Sequence, residues 1–406
     1  MRVVYCDPGL QSNLGHHASS CRYISRELWA RRVETRVFGH VQVDQSVKIE
    51  LGAAPHFRGF TYWISDGDPI CGWLNAYLRV AQVTHDDLRR LTGIEAGDLL
   101  YLNSGQAAQL LGLAQWAAAN PAGSIPHIVF EFGVDPGLEI EINAHGAKLS
   151  IGDPRKNAKP VLFRHAACQI PKRLNDRFHL VTLEPNSSAA YRSLLGKDVG
   201  LLPMPRPAIT PARCRAGKRP ITVGVLGHQR TEKGYQLMPE ITRRLFEERA
   251  DINVLAHNGA PLEMQDTQQE LRHLAASEAR LRIDERLADE RIWAELLEAT
   301  DVVLCPYPTN RFAISYSAVA ADAVANGIPI VAPRGSSMAR LIADFGGAGS
   351  TFDTPDVASI VAATVRLLEH FDQHAETAAR GAKQWNEING PRQFVDSLLS
   401  LAKQTV

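Results

Sequence analysis

Residues 311–333 read RFAISYSAVAADAVANGIPIVAP, an alanine- and valine-rich run with one acid, Asp322, that stops at Asn326-Gly327 and resumes as an apolar strand. The spacing predicts a helix that starts at Ser315 or Ser317 as N-cap and ends at Gly327, where a left-handed residue is needed. Alanines at 318, 320, 321, 323 and 325 leave that helix with little side-chain bulk. Small residues admit a close neighbour, either a packed helix or a ligand. A helix start carries about half a positive charge and unpaired N–H groups, which suits a diphosphate. Asp322, about one and a half turns further in, would then lie near a ribose. Tight packing around a solvated acid is the structural alternative.

Working outward, DVVLCPY (301–307) delivers the chain to this stretch as a buried strand, after a helix over 289–300. PITVGVLG (220–227) is a strand that breaks at Gly227, followed by the loop HQRTEK, then Gly234 and an amphipathic helix over 235–250. The loop holds two permanent cations, Arg230 and Lys233, beside a helix start, which would meet an anion. A solvated basic turn is the alternative for the pair taken alone. The spacing is neither a dinucleotide fingerprint nor a P-loop.

The N-terminal half repeats the alternation of short apolar strands and longer helices that marks parallel sheets with crossover helices. Strands fall at 2–6, 34–40, 98–103, 125–133, 178–184 and 199–205, with helices at 19–32, 106–120 and 185–196. Asn186 or Ser187 is the expected N-cap of the last of these, and Gly196 its stop. Residues 134–177 read as a helix-poor insertion, and RPAITPARCRAGKRP (206–220) as an interdomain linker. The expected architecture is α/β, with an N-terminal domain over 1–205 and a C-terminal domain over 221–390. A terminal helix in 391–406 would pack back on the first domain. Ligands of open α/β sheets bind at strand carboxyl ends, so both halves are expected to face a central cleft.

Composition narrows the partners. The 406 residues hold 44 Lys plus Arg against 44 Asp plus Glu, so no global field draws in nucleic acid. Six scattered cysteines show no metal-ligand spacing and read as reduced thiols. No window approaches the ~18 apolar residues that span a bilayer, and the start MRVVYCDPGL lacks leader character. The expectation is a cytoplasmic protein.

Taken together, the Gly-x5-Lys-Gly loop and the later DAVANGIPIVA element resemble the C-terminal domain of family-4 retaining glycosyltransferases of the GT-B fold, which has two Rossmann-like doubly wound domains. The resemblance extends through PRGSSMARLI and the GGAG turn (346–349) over roughly 220–400, and is fold-level over 1–205. It implies that Lys233 grips a donor diphosphate. His228 stands where the family carries arginine, so Arg230 would be its displaced substitute. Asp322 replaces the glutamate that binds ribose, and Ile314 occupies the position of the family's first glutamate. The chain thus resembles a divergent bacterial subfamily. Gly227, Arg311, Ser315, Tyr316 and Ser317 complete the implied donor site on this half.

On the N-terminal half, QSNLGHHASS (11–20) matches a loop in which Gly15 and His17 would contact the donor and His16 would act in catalysis, with two surface histidines as the alternative. Asn103, Ser104 and Glu131 are acceptor-side candidates at strand ends, whereas His127 reads as a core histidine. The implied reaction is sugar transfer from a nucleotide-diphosphate sugar, UDP or GDP, to an acceptor hydroxyl, retaining and without a metal. The acceptor would be a glycan, a lipid-linked or a small molecule, and peripheral membrane contact is compatible with it. A nucleotide-sugar-binding protein without transfer and a GT-B epimerase are the rival readings. The loop at 282–289 is the expected neighbour of the base.

Overall fold

In the computed structural model, residues 1–62, 70–143, 146–210, 214–308 and 312–403 are described, side chains at 70, 71, 142, 143, 146 and 147 excepted. The chain forms two compact units: Met1–Glu141 with Lys148–Pro205 and Pro391–Val406, and Ile142–Ala147 with Arg206–Gly390.

The first unit runs β1 (Val3–Cys6), α1 (Gly15–Ala30), β2 (Thr35–His40), α2 (Gln45–Leu51), β3 (Ala54–Phe57), α3 (Ile70–Arg89), β4 (Leu99–Gly105), α4 (Ala107–Ala119) and β5 (His127–Phe132). A ribbon of β6 (Glu139–Asn143) and β7 (Gly146–Ser150) follows, then α5 (Lys159–Cys168), β8 (Phe178–Thr182), α6 (Pro185–Leu195) and β9 (Gly200–Leu201). Seven strands pair in the order β3-β2-β1-β4-β5-β8-β9, all parallel. Such strands are covered on both faces, which is why β1 and β4 read as unbroken apolar runs.

The second unit contains β10 (Ile221–Val225), α7 (Met238–Glu248), β11 (Ile252–His257), α8 (Gln265–Ser277), β12 (Leu281–Asp284), α9 (Glu290–Ala299), β13 (Val302–Leu304), α10 (Ala318–Ala325), β14 (Ile330–Pro333), α11 (Ser337–Asp344), β15 (Gly349–Phe352), α12 (Val357–Glu369) and α13 (Phe371–Ile388). Its order is β12-β11-β10-β13-β14-β15, again parallel throughout. The final helix, α14 (Pro391–Lys403), returns to the first unit, where Phe394 meets the Tyr101 ring edge-on at 5.8 Å and Asp396 pairs with Arg31.

Strand order reverses between β1 and β4 in one sheet and between β10 and β13 in the other. The crevices beyond those strand ends are where a doubly wound sheet accepts a ligand. Residues 7–9 and 103–104 occupy the first such position, and residues 226–234 and 305–307 the second.

Three local expectations are corrected. The segment 134–177 contains the ten-residue helix α5, opened by Pro160 and burying Leu162, Phe163, Ala166 and Ala167. The cap of α6 is Glu184, whose carboxylate accepts the Ser187 N–H, and not Asn186 or Ser187. A carboxylate at this place also meets the positive helix end. Helix α1 begins at Gly15, so His16 and His17 sit on its first turn.

Residues 206–210 and 214–220 form neither helix nor strand, yet Arg206 and Arg215 are buried. Arg215 donates to the carbonyls of Thr300 (3.0 Å), Asn326 (3.2 Å) and Leu297 (3.2 Å), all at helix ends, where carbonyls lack the partner of a helix interior. Its Nε also lies 3.7 Å from the buried Asp301, which Lys218 reaches at 2.8 Å. Replacing Arg215 with Ala strands buried acceptors, at a cost of about 2–3 kcal/mol. Urea unfolding of the purified variant is the measurement, and an unchanged midpoint would show the segment to be passive.

Candidate functional site

The loop after β10 is built around Gly227. Its φ is +105°, and its N–H donates to Nδ1 of His257 at 3.0 Å. His257 Nε2 donates in turn to the Arg286 carbonyl at 2.9 Å. Both ring nitrogens are thus engaged in the neutral form, and burial lowers the His257 pKa. Gln229 is pinned to the same strand end: its N–H reaches Asn258 Oδ1 (3.2 Å) and its side-chain amide the His257 carbonyl (3.1 Å). A short turn over Thr231–Lys233 then ends at Gly234, whose φ is +70°. A Cβ there would stand 1.9 Å from the Pro306 carbonyl oxygen, so only glycine lets this loop lie on the end of β13.

Three features of the second unit converge at one point. A Cβ placed on Gly227 would lie 3.3 Å from Val319, in the first turn of α10, and 4.0 Å from Lys233 Nζ. Lys233 Nζ donates to the His228 carbonyl at 2.7 Å and sits 5.8 Å from the centre of the Tyr307 ring. The loop and the small-residue helix, far apart in the chain, therefore meet at one place. Ser317 is the N-cap of α10 and accepts from the Ala320 N–H at 3.3 Å, while Gly327 closes the helix at φ +68°. Ser315 and Tyr316 are half-buried just before the cap, with the Ser315 carbonyl taken by Ser337 Oγ. Ile314 is buried. Arg311 lies outside the described residues.

Two other loop side chains, one of them the cation Arg230, meet a carboxylate. His228 Nε2 lies 3.0 Å and Arg230 Nε 3.3 Å from the carboxylate of Glu263, a residue the sequence reading did not single out. Desolvation, followed by the Arg230 charge, lowers the His228 pKa. Glu263 belongs to a turn far along the chain from His228 and Arg230, so nothing in the local sequence announces it.

Asp322 is 2% exposed. Its Oδ2 accepts the Trp293 indole N–H at 2.9 Å, Arg206 Nη1 stands 3.9 Å away, and Oδ1 has no partner among the described residues. It is a buried carboxylate, not a solvated one. At the end of the same helix, Asn326 accepts from the Ile209 (2.9 Å) and Thr210 (2.8 Å) N–H groups and donates to the Asp322 carbonyl at 2.7 Å. At the end of β12, Asp284 is held down to a pKa of about 2 by Arg286, whose Nη2 is 2.7 Å away, so the 282–289 loop carries a rigid ion pair.

In the first unit the centre is Asp7, which directly follows β1 and is fully buried. It accepts from the Gly9 N–H (2.9 Å), His17 Nδ1 (2.8 Å) and Asn103 Nδ2 (2.8 Å). Tyr62 Oη lies 3.1 Å from His17 Nε2 and 3.0 Å from His16 Nε2. A side chain on Gly9 would collide with the His17 ring, its Cβ only 2.2 Å from one ring carbon. Tyr101 Oη bridges Asn103 Oδ1 (3.1 Å) and Glu131. Ser104 adopts φ +53°, and Gly133 packs onto its backbone. His16, His17, Asn103, Ser104 and Glu131 are thus gathered at one switch point, the last four buried. Asp7 and Tyr62 are the members that the sequence reading missed. An acid immediately after the first strand was the available signal for Asp7. His127 is buried within β5, which lowers its pKa.

Among the described residues, no group of three or more His, Cys, Asp or Glu side chains is placed to hold a metal ion. No described helix is long and apolar enough to cross a membrane.

Two parallel doubly wound units in this order define the GT-B fold. Solved structures with the same architecture include sucrose-phosphate synthase from Thermosynechococcus elongatus (TM-score 0.68, 12% identity, covering 100% of this chain and 99% of that one). Trehalose-6-phosphate synthase OtsA is similar at TM-score 0.68 and 14% identity, with 100% of both chains covered. HepE from Anabaena, in complex with UDP-glucose, gives TM-score 0.61 and 14% identity, again over 100% of both chains. No protein-family model and no curated relative matches the chain.

The buried Asp322 yields a pH prediction. Burial raises its folded pKa, with Arg206 and Trp293 opposing. An acid whose folded pKa exceeds its unfolded value of ~3.9 favours the fold below that value. The contribution is lost as pH rises through the folded pKa. Asp322→Asn keeps an acceptor for Trp293 without the charge. It should match or exceed the parent's stability at neutral pH and flatten the pH dependence above the ordinary carboxylate range. Asp322→Ala should lose about 1–3 kcal/mol. Urea unfolding across pH decides, and a strongly destabilised Asn variant would show that the fold needs the charge.

Proposed function

We propose that the protein is a glycosyltransferase that moves a sugar from a nucleotide-diphosphate donor to an acceptor hydroxyl, as a cytoplasmic activity with retention at the anomeric carbon. The observation that carries this reading is the convergence of Lys233, the Gly227 turn and the first turn of α10 within about a side chain's reach of one another. A diphosphate placed there meets the ammonium and the unpaired N–H groups of a helix start.

The leaving group gains charge as its bond to the sugar breaks. Preorganised cations aimed at that charge are commonly the largest contribution to such a reaction. Lys233 and the helix start supply it from the chain itself, with the Arg230 guanidinium available once an anion competes for it against Glu263, and His228 as a neutral hydrogen-bond donor beside it. In the retaining course, the bond from the anomeric carbon to the diphosphate breaks on the face where the acceptor oxygen bonds. The acceptor's proton leaves with the diphosphate. Asp322 is assigned to the ribose on the family resemblance alone, and because its carboxylate is buried against Trp293 that contact requires the indole to move aside. The network around Asp7 and His17 is assigned to the acceptor side, whose substrate is a glycan, a lipid-linked sugar or a small alcohol. HepE was solved with UDP and with UDP-glucose, and the E. coli trehalose-6-phosphate protein with UDP-2-fluoro glucose. Those complexes favour UDP over GDP as the nucleotide here.

One observation supports a second reading. Ile314, buried where the family resemblance puts an acid, leaves no carboxylate at that place. Donor binding without turnover would fit it.

A thermal-unfolding screen against UDP-, GDP-, ADP- and dTDP-sugars tests the assignment. A donor at 100 times its dissociation constant adds about 2.7 kcal/mol of stability. A response to none of them would overturn the assignment. With an active donor, Lys233→Ala should lower turnover by about 100-fold or more while melting like the parent, and wild-type rates for it would remove Lys233 from the mechanism. Binding of donor with neither transfer nor hydrolysis would select the second reading.

A further inference from the structure

The first unit holds a second polar cluster, at the edge of its sheet opposite Asp7, where the parallel strands β4, β5 and β8 begin. Leu99 pairs with His127 and Val129 with His179, so residues 127 and 179 share one face of the sheet. Arg177 lies just before β8, where its carbonyl accepts the Ile128 N–H at 2.7 Å. The last turn of α14 closes this corner. Ala402 and Lys403 line the same cavity, of about 560 Å³, as His127, Arg177 and the turn at Ala96–Gly97. No acidic side chain lines it among the described residues. Asp98, which follows that turn, is taken by Arg2 and by the Glu95 N–H (2.9 Å).

The donors of this corner are not used up within the chain. His127 is 7% exposed, and its Nδ1 is buried with no partner among the described residues. His179 Nε2 is in the same condition. A buried polar atom left without a partner is costly, and in a native protein it calls for a bound water or ion. Arg177 spends Nη1 on the carbonyls of Ala96 (3.1 Å) and Ile125 (3.0 Å), and its Nε and Nη2 make no hydrogen bond among the described residues. Lys403 is exposed and forms no ion pair among them. After burial itself, the charges of Arg177 and His179 lower the His127 pKa, so the three groups already act on one another. The end of α14 adds a partial negative charge that Lys403 offsets, leaving the guanidinium and the imidazoles in excess.

We propose that this corner is an anion site that takes a phosphate group, held by His127, Arg177 and Lys403. A tetrahedral anion can meet donors from three directions at once, and a guanidinium edge matches two of its oxygens. The cavity has room beyond a single phosphate, so the group is either the free ion with water or the end of a small phosphomonoester. Ordered water alone is the rival occupant. The site uses none of the residues assigned to transfer, so it stands or falls without any donor or acceptor being known.

Thermal unfolding of the full chain is followed with rising sodium phosphate, ionic strength being held constant with sodium chloride, and in parallel with glycerol 3-phosphate. The melting temperature should rise saturably with phosphate and not with chloride alone. Lys403→Gln and His127→Leu should each weaken the apparent affinity about tenfold. Without phosphate both should melt no lower than the parent, since one site is exposed and the other trades an unpartnered ring for an apolar side chain. Lys403→Gln tests the site even if the strand does not accept leucine. Lys233→Ala should keep the full response, which separates this corner from any phosphate taken by the basic loop. A tighter response to glycerol 3-phosphate would assign the site to phosphomonoesters, and an equal or weaker one to the free ion. No saturable response to either compound would leave water as the occupant and overturn the proposal. So would parental affinity in both variants, or a response that only Lys233→Ala abolishes.

Discussion

The absence of a side chain at Gly227 is the constraint on which the candidate donor site rests. The β10 strand end, the basic loop and the first turn of α10 lie too close together for a Cβ to enter without displacing Val319. Gly234 repeats the requirement seven residues later, against the Pro306 carbonyl. Between these two glycines the loop has little freedom, and Lys233 is delivered to one place. A basic turn with side chains at both positions would swing clear of β13 and leave its lysine in solvent.

Behind that site, polar groups fix what the glycines bring together. The far end of α10 is tied to the segment after residue 206 by the Asn326 side chain, which accepts the Ile209 and Thr210 N–H groups, and by Arg215, which donates to the Asn326 carbonyl that the helix end leaves exposed. Trp293 and Arg206 hold Asp322 from the side. The small-residue helix is consequently clamped at its C-terminal end and along its length, while its N-terminal turn, capped only by Ser317, faces the loop. Rigidity of this kind is what an electrostatic site needs, since its donors must be in place before charge develops.

Much of this was legible in residue pattern. The helix over 318–325, its serine cap and its glycine stop follow from local rules that act within a few residues, as do the parallel strands with their unbroken apolar runs. The candidate lysine was legible for the same reason, because loop, strand and helix start are adjacent in the chain. What escaped was set by distance along the chain. Asp322 looks solvated until Trp293, 29 residues earlier, is seen to cover it. Asp7 acquires its role from Asn103, 96 residues later, and Arg230 loses part of its charge to Glu263. Helix α5 was missed because lysines and prolines at its start outweigh four buried apolar residues in any compositional view.

The central claim is that a nucleoside diphosphate rests on Lys233 and the first turn of α10. A crystal structure grown with UDP tests it most directly. The account predicts that Lys233 Nζ leaves the His228 carbonyl for a phosphate oxygen, with the N–H groups of Ala318 and Val319 directed at the same diphosphate. A diphosphate bound elsewhere, with Lys233 still on His228, would contradict it.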